Sequence, residues 1–140
     1  GIYGISDAKA AAERVTEQLS LGSVLDRKAK TLSGGWQRKV SIAMALVTSP
    51  KILFLDEPTL GLDVLARREL WGIVRELRSH MTVILTTHYL DEAEALCDRI
   101  AVMTEGRLRA VGTANELKAL AGKDNFEDAF IEIAERSGEK

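Results

Sequence analysis

The sequence holds one cysteine, two prolines and no apolar run that approaches a membrane span. A single thiol, Cys97, excludes an internal disulfide and fits a reducing compartment. No stretch nears the ~20 residues of a spanning helix, and the N-terminus has no signal-peptide pattern. Charge of one sign is lacking too: 19 basic side chains meet 21 acidic ones, a formal net charge of −2. That balance gives no electrostatic argument for a nucleic-acid partner. There is no internal repeat and no low-complexity tract. The chain opens on "GIYGISDAKA" without an initiating Met, which fits a piece of a longer protein.

What is present is ordinary for one modest globular domain: 46% of the 140 residues are hydrophobic and 29% charged. Residues 6 to 20 read as an amphipathic helix, capped by Asp7 or Ser6, with Ala8, Ala11, Val15 and Leu19 on one face. Leu21 to Thr31 is mixed, with Lys28 and Lys30 exposed. After "TLSGG", a second helix runs to the stop at Pro50. Its apolar residues Val40, Ile42, Ala43, Met44, Leu46 and Val47 spread around most of the circumference, which predicts a well-buried helix.

"KILFLD" is a short continuous apolar run, read as a strand covered on both faces. Residues 64 to 78 read as a helix striped by Leu70, Ile73, Val74 and Leu77. "TVILTT" (82 to 87) is a second buried strand, and residues 89 to 97 a helix with Asp91 and Glu92 at its positive end. "RIAVM" and "RLRAVG" form a hairpin about "TEG". "TANE" is a capping box for a helix ending at Gly122, and a last helix spans Phe126 to Ala134, with Phe126, Phe130 and Ile133 on one face. The tail "SGEK" is read as mobile. Strands alternating with helices predict an α/β fold with a parallel sheet.

Three places carry chemistry. In "ILFLDEPTLGLD" the buried strand delivers Asp56 and Glu57 to the crevice at the carboxyl end of the sheet, pointing to opposite sides. One carboxylate suits a hydrated Mg²⁺, and its neighbour a water-orienting base; the alternative is that they simply end a strand. In "LSGGWQ" two glycines open a helix, whose N-terminal N–H groups bind anions, although Ser-Gly-Gly is also a common turn. His88 follows "VILTT" and so falls on the same sheet edge as the carboxylates, placed to contact a phosphate or an attacking water; a lone His is otherwise structural.

Together, in this order, these motifs resemble the nucleotide-binding domain of ATP-binding cassette (ABC) proteins, over nearly the whole chain. "LSGGWQRKVSIAMAL" looks like the signature motif and its helix, "ILFLDE" like Walker B with the catalytic Glu. "LGLD" looks like the D-loop, and "TTHYLDEAEALCDRIAVM" like the switch-histidine region. The His88 segment and the closing helix most resemble exporter-type transporters. The resemblance implies that Asp56 holds Mg²⁺ through water, Glu57 polarises the attacking water, and His88 senses the γ-phosphate. Asp63 would bridge to a partner subunit, and Ser33, Gly34, Gly35 and Gln37 would belong to the signature that meets the partner's ATP. It also implies a head-to-tail pair of such domains, a separate transmembrane permease and residence at the cytoplasmic membrane face. Two positions depart from the pattern: Trp36 stands where Gln is common, and Met44 where Arg is.

No "GxxxxGK[ST]" occurs in the 140 residues, so the chain resembles the C-terminal half of such a domain, without the phosphate loop or the Gln-containing loop. The expected division is 1–49, part of the helical signature subdomain; 50–112, part of the α/β core; and 113–140, C-terminal helices. The expected function is the ATPase of an ABC transporter, the 140 residues alone being inactive. A DNA-repair or chromosome-maintenance ATPase and a non-catalytic interaction module are the alternatives. In the family's sheet a further strand lies between those resembling "VILTT" and "RIAVM". Its absence predicts self-association of the isolated chain.

Overall fold

The structure, a computed structural model, describes residues 7–135. The chain divides into two compact units, Gly1–Thr86 and Thr87–Lys140. Within the first, α1 (Ala8–Gln18) starts where the Asp7 carboxylate accepts the Ala10 N–H at 3.0 Å. The other expected cap, Ser6, lies outside the described residues. Ala11, Val15 and Leu19 are buried as the spacing predicts, whereas Ala8 is exposed. Two short 3-10 turns, Gly22–Val24 and Ala29–Thr31, lead to α2 (Gly34–Leu46).

Helix α2 ends ahead of Pro50, the chain passing through a left-handed Ser49 at φ 51°. It is less buried than its apolar circumference predicts. Ile42, Ala43 and Leu46 are inside, but Met44 is 72% exposed. Helices α1 and α3 (Val64–Leu77) pack against it and leave the Met44 side open.

Strands β1 (Ile52–Asp56) and β2 (Thr82–Thr86) pair in parallel, in register from Ile52↔Thr82 to Asp56↔Thr86, with α3 as the connecting helix. Leu70, Val74 and Leu77 bury its inner stripe. Register partners of a parallel ladder share a face. Leu53 and Leu55 are buried on one face of this ladder, while Ile52, Phe54 and Ile84 are exposed on the other. The expectation of strands covered on both faces is therefore met on one face only. No described element of the first unit covers Phe54, which is 71% exposed.

The second unit begins with α4 (Leu90–Leu96), whose first turn carries Asp91 and Glu92. Strands β3 (Ile100–Thr104) and β4 (Arg107–Gly112) form the antiparallel hairpin expected about "TEG". Glu105 and Gly106 take φ of 50° and 71°, the paired positive values of a tight hairpin turn whose twist matches the strands. A bulge between Val102 and Met103 leaves Arg109 unmatched in the ladder. Helix α5 (Ala114–Ala121) carries the full capping box of Thr113 and Glu116 and stops at a left-handed Gly122. Helix α6 (Phe126–Glu135) packs with α5 on the hairpin, and Val102, Leu117, Phe126, Ala129 and Ile133 form the centre of that core. Phe130 is only partly buried. The tail "SGEK" lies outside the described residues. Ladder β3–β4 is separate from β1–β2, so the parallel pairing is confined to the first unit.

Candidate functional site

Asp56 is the last residue of β1, at the carboxyl end of the parallel pair and exposed. Its Oδ1 accepts a short hydrogen bond from the hydroxyl of Thr86, its register partner. Its Oδ2 takes no hydrogen bond from any described residue, and an exposed hard oxygen of this kind suits a hydrated Mg²⁺, which uses one or two carboxylates and keeps several waters.

Glu57 has left the strand. Its φ is 45°, a left-handed conformation that costs a non-glycine residue of order 1–3 kcal/mol. Strand alternation therefore does not set its direction. What fixes it is a set of main-chain bonds. Glu57 N–H donates to the Thr86 carbonyl at 3.1 Å and to Thr86 Oγ1 at 3.2 Å. Its carbonyl accepts from Leu60 N–H at 3.2 Å and from the Arg38 guanidinium of α2 at 3.3 Å. Pro58 and Thr59, both buried, seat the turn beneath. Neither Thr86 nor Arg38 is prominent in the sequence; the register that makes Thr86 the partner of Asp56 is a long-range fact.

The second constellation lies between α2 and α3. Ser33 is the N-cap of α2 yet makes no side-chain cap bond, so its hydroxyl leaves the first-turn N–H groups to another acceptor. Gln37 turns its amide back to the Leu32 carbonyl, 2.9 Å away. Asp63 caps α3, Oδ1 accepting from Leu65 N–H at 2.9 Å and Ala66 N–H at 3.0 Å. An open groove of about 420 Å³ between the two helix starts is lined by Ser33, Gly35, Trp36, Asp63, Leu65, Ala66 and Glu69.

Gly35 has a second reason to be glycine. A Cβ there would stand 3.1 Å from the Ala66 Cβ, so its missing side chain lets the two helices approach. Lys39, only 4% exposed, forms a short ion pair with Glu69, and its ammonium lies 4.2 Å from the centre of the Trp36 ring. Trp36, standing where Gln is common, thus takes a cation–π role.

His88 stands two residues past the end of β2, exposed, its ring 4.2 Å from that of Tyr89. It belongs to the second unit, whereas Asp56, Glu57, Thr86 and the α2–α3 groove belong to the first.

The family profile described as ABC transporter matches residues 5–60. The daunorubicin/doxorubicin resistance ATP-binding protein DrrA of Streptomyces peucetius is 47% identical over 123 residues, 87% of this chain and 37% of DrrA. The chain belongs to the ABC transporter family of ATP-binding proteins. ABC transporter A family member 5 of Arabidopsis thaliana is 44% identical over 119 residues, 84% of this chain and 13% of that relative. Among solved ABC structures, an ATP-binding subunit of an ABC transporter superposes with TM-score 0.76 at 30% identity, covering 94% of this chain and 57% of that one. A nucleotide-free ATP-binding cassette gives 0.77 at 29% identity, covering 91% and 51%. The fold is accordingly part of an ABC ATPase domain, of the P-loop NTPase type, and the chain spans well under half of these two curated relatives.

Proposed function

We propose that the protein containing this chain hydrolyses ATP and so drives transport through a separate membrane subunit. The observation that carries this is the acidic turn at the end of β1: an exposed Asp56 beside a Glu57 held in a strained backbone at the carboxyl edge of a parallel pair. Mg²⁺ bound with ATP would neutralise phosphate charge as the γ-phosphoryl bond breaks. Asp56 would hold that ion, and Glu57 would orient the attacking water and take its proton. His88 contacts the γ-phosphate. Ser33, Gly34 and Gly35 offer N–H groups at the start of α2 to the phosphates of a second copy's ATP, with Gln37 fixing the loop ahead of them and Asp63 bridging the pair.

Such a head-to-tail pair is the partner arrangement we propose, with a transmembrane permease as the third component and no nucleic acid. Among the described residues no helix is long and apolar enough to cross a membrane, so the span would come from elsewhere. Similarity to DrrA, whose name denotes daunorubicin/doxorubicin resistance, supports an exporter; its ATPase would sit at the cytoplasmic face of the membrane. Within the chain, residues 1–49 would serve as the signature subdomain portion, 50–112 as the catalytic core portion and 113–140 as C-terminal helices. The test is turnover by the full-length protein. Glu57→Gln should retain ATP binding and lose ~10²-fold or more in rate, as for removal of a positioned base. Normal turnover in that variant would refute the assignment.

A further inference from the structure

Thr86 stands at the head of the segment that carries His88, and it touches both members of the acidic turn. As the register partner of Asp56 it projects from the same face of the ladder. A threonine hydroxyl has one proton to give and two lone pairs to offer. Here the proton goes to Asp56 Oδ1, and a lone pair faces Glu57 N–H at 3.2 Å, the same N–H that the Thr86 carbonyl accepts at 3.1 Å. One side chain therefore orients the Asp56 carboxylate and helps hold Glu57 at a φ of 45°. Arg38 holds the Glu57 carbonyl from the α2 side, at 3.3 Å.

We infer that Thr86 is a positioning residue for ATP hydrolysis, its hydroxyl aiming the metal-binding carboxylate and fixing the backbone of the general base. The inference rests on the roles proposed above for Asp56 and Glu57. It separates shape from chemistry at one position. Valine has the outline of threonine without the hydroxyl. Serine keeps the hydroxyl and loses only a methyl group.

The experiment uses the full-length protein. Thr86→Val should lower kcat ~10-fold or more and raise the Mg²⁺ concentration needed for half-maximal rate, with KM for ATP within about 2-fold, since partners that orient a metal ligand typically carry 10- to 100-fold effects. Thr86→Ser should stay within about 3-fold of the parent, because it retains the group that matters. A readout without turnover is Mn²⁺ affinity by electron paramagnetic resonance in the ATP-loaded Glu57→Gln protein. Adding Thr86→Val should weaken it ~10-fold, and adding Thr86→Ser should not. Should the valine variant fail to fold, Thr86→Ala is the second hydroxyl-free variant, with the same expectations. Equal losses in the serine and the hydroxyl-free variants would overturn the inference, because fit rather than the hydroxyl would then be responsible. Unchanged kcat and Mn²⁺ affinity without the hydroxyl, while Glu57→Gln still loses turnover, would overturn it and leave the proposed function standing. Normal turnover in Glu57→Gln would overturn both.

Discussion

At the residue scale, Glu57 shows how a chemical role departs from a secondary-structure role. The four apolar residues before it build a strand, Asp56 completes that strand, and Glu57 breaks it in a left-handed turn closed by the buried Pro58 and Thr59. Strain there is stored against hydrogen bonds to Thr86, Leu60 and Arg38. A second carboxylate, Glu116, shows the opposite case of a purely structural bond. Hydrogen bonds from the Thr113 backbone N–H, and then its hydroxyl, hold the Glu116 carboxyl below its ordinary value of 4.5. The charged form is thus favoured by folding. Its contribution is present above pH 4.5 and is lost as pH falls through the lowered folded value. Acidification should fray the start of α5, and Glu116→Gln should remove that part of the pH dependence. Amide exchange of residues 113–117 in both proteins from pH 6 to 3 checks this. Identical acid profiles would contradict it.

At the scale of elements, α2 and α3 are held together by a close approach at Gly35 and Ala66 and by the Lys39–Glu69 pair beneath Trp36. Lys39 is buried while the Glu69 side chain is 58% exposed, so the pair is half inside water's reach. Glu69→Gln leaves a buried ammonium short of its anion and should cost about 1–2 kcal/mol, below the fully buried limit. Glu13→Gln, at the exposed Lys9–Glu13 pair of α1, should cost at most ~0.5 kcal/mol. Urea unfolding of both variants measures the difference; equal costs would refute the clamp.

These elements were largely legible in the sequence. The capping box at Thr113, the turn at Glu105 and Gly106, and the stripe of α3 each follow from a local pattern. The open side of α2 at Met44 was not legible, because a wide apolar surface does not say which neighbours will cover it. Nor was Thr86, whose meaning depends on strand register. In the site, Asp56, Glu57 and the start of α2 follow from motif order, whereas Arg38, Lys39 and Glu69 emerge only from the contacts of α2 with the acidic turn and with α3.

At the scale of the molecule, two compact units each present uncovered apolar side chains: Ile52, Phe54 and Ile84 in the first, Met103, Leu108 and Val111 in the second. Among the described residues, neither ladder has more than two strands. Two-stranded ladders with bare apolar faces are marginal alone and invite pairing with another chain. The 140-residue chain should therefore associate with itself at micromolar concentration without nucleotide. Light scattering that returned a monomer mass would contradict this. The same isolated chain contains no "GxxxxGK[ST]" to cradle a triphosphate and should release no phosphate from ATP.

The chemistry of the acidic turn is tested by Mg²⁺-dependent phosphate release from the full-length protein, with ATP binding determined on the same preparations. Glu57→Gln should bind ATP like the parent and release phosphate ~10²-fold or more slowly. Parent-like release by Glu57→Gln would contradict that chemistry.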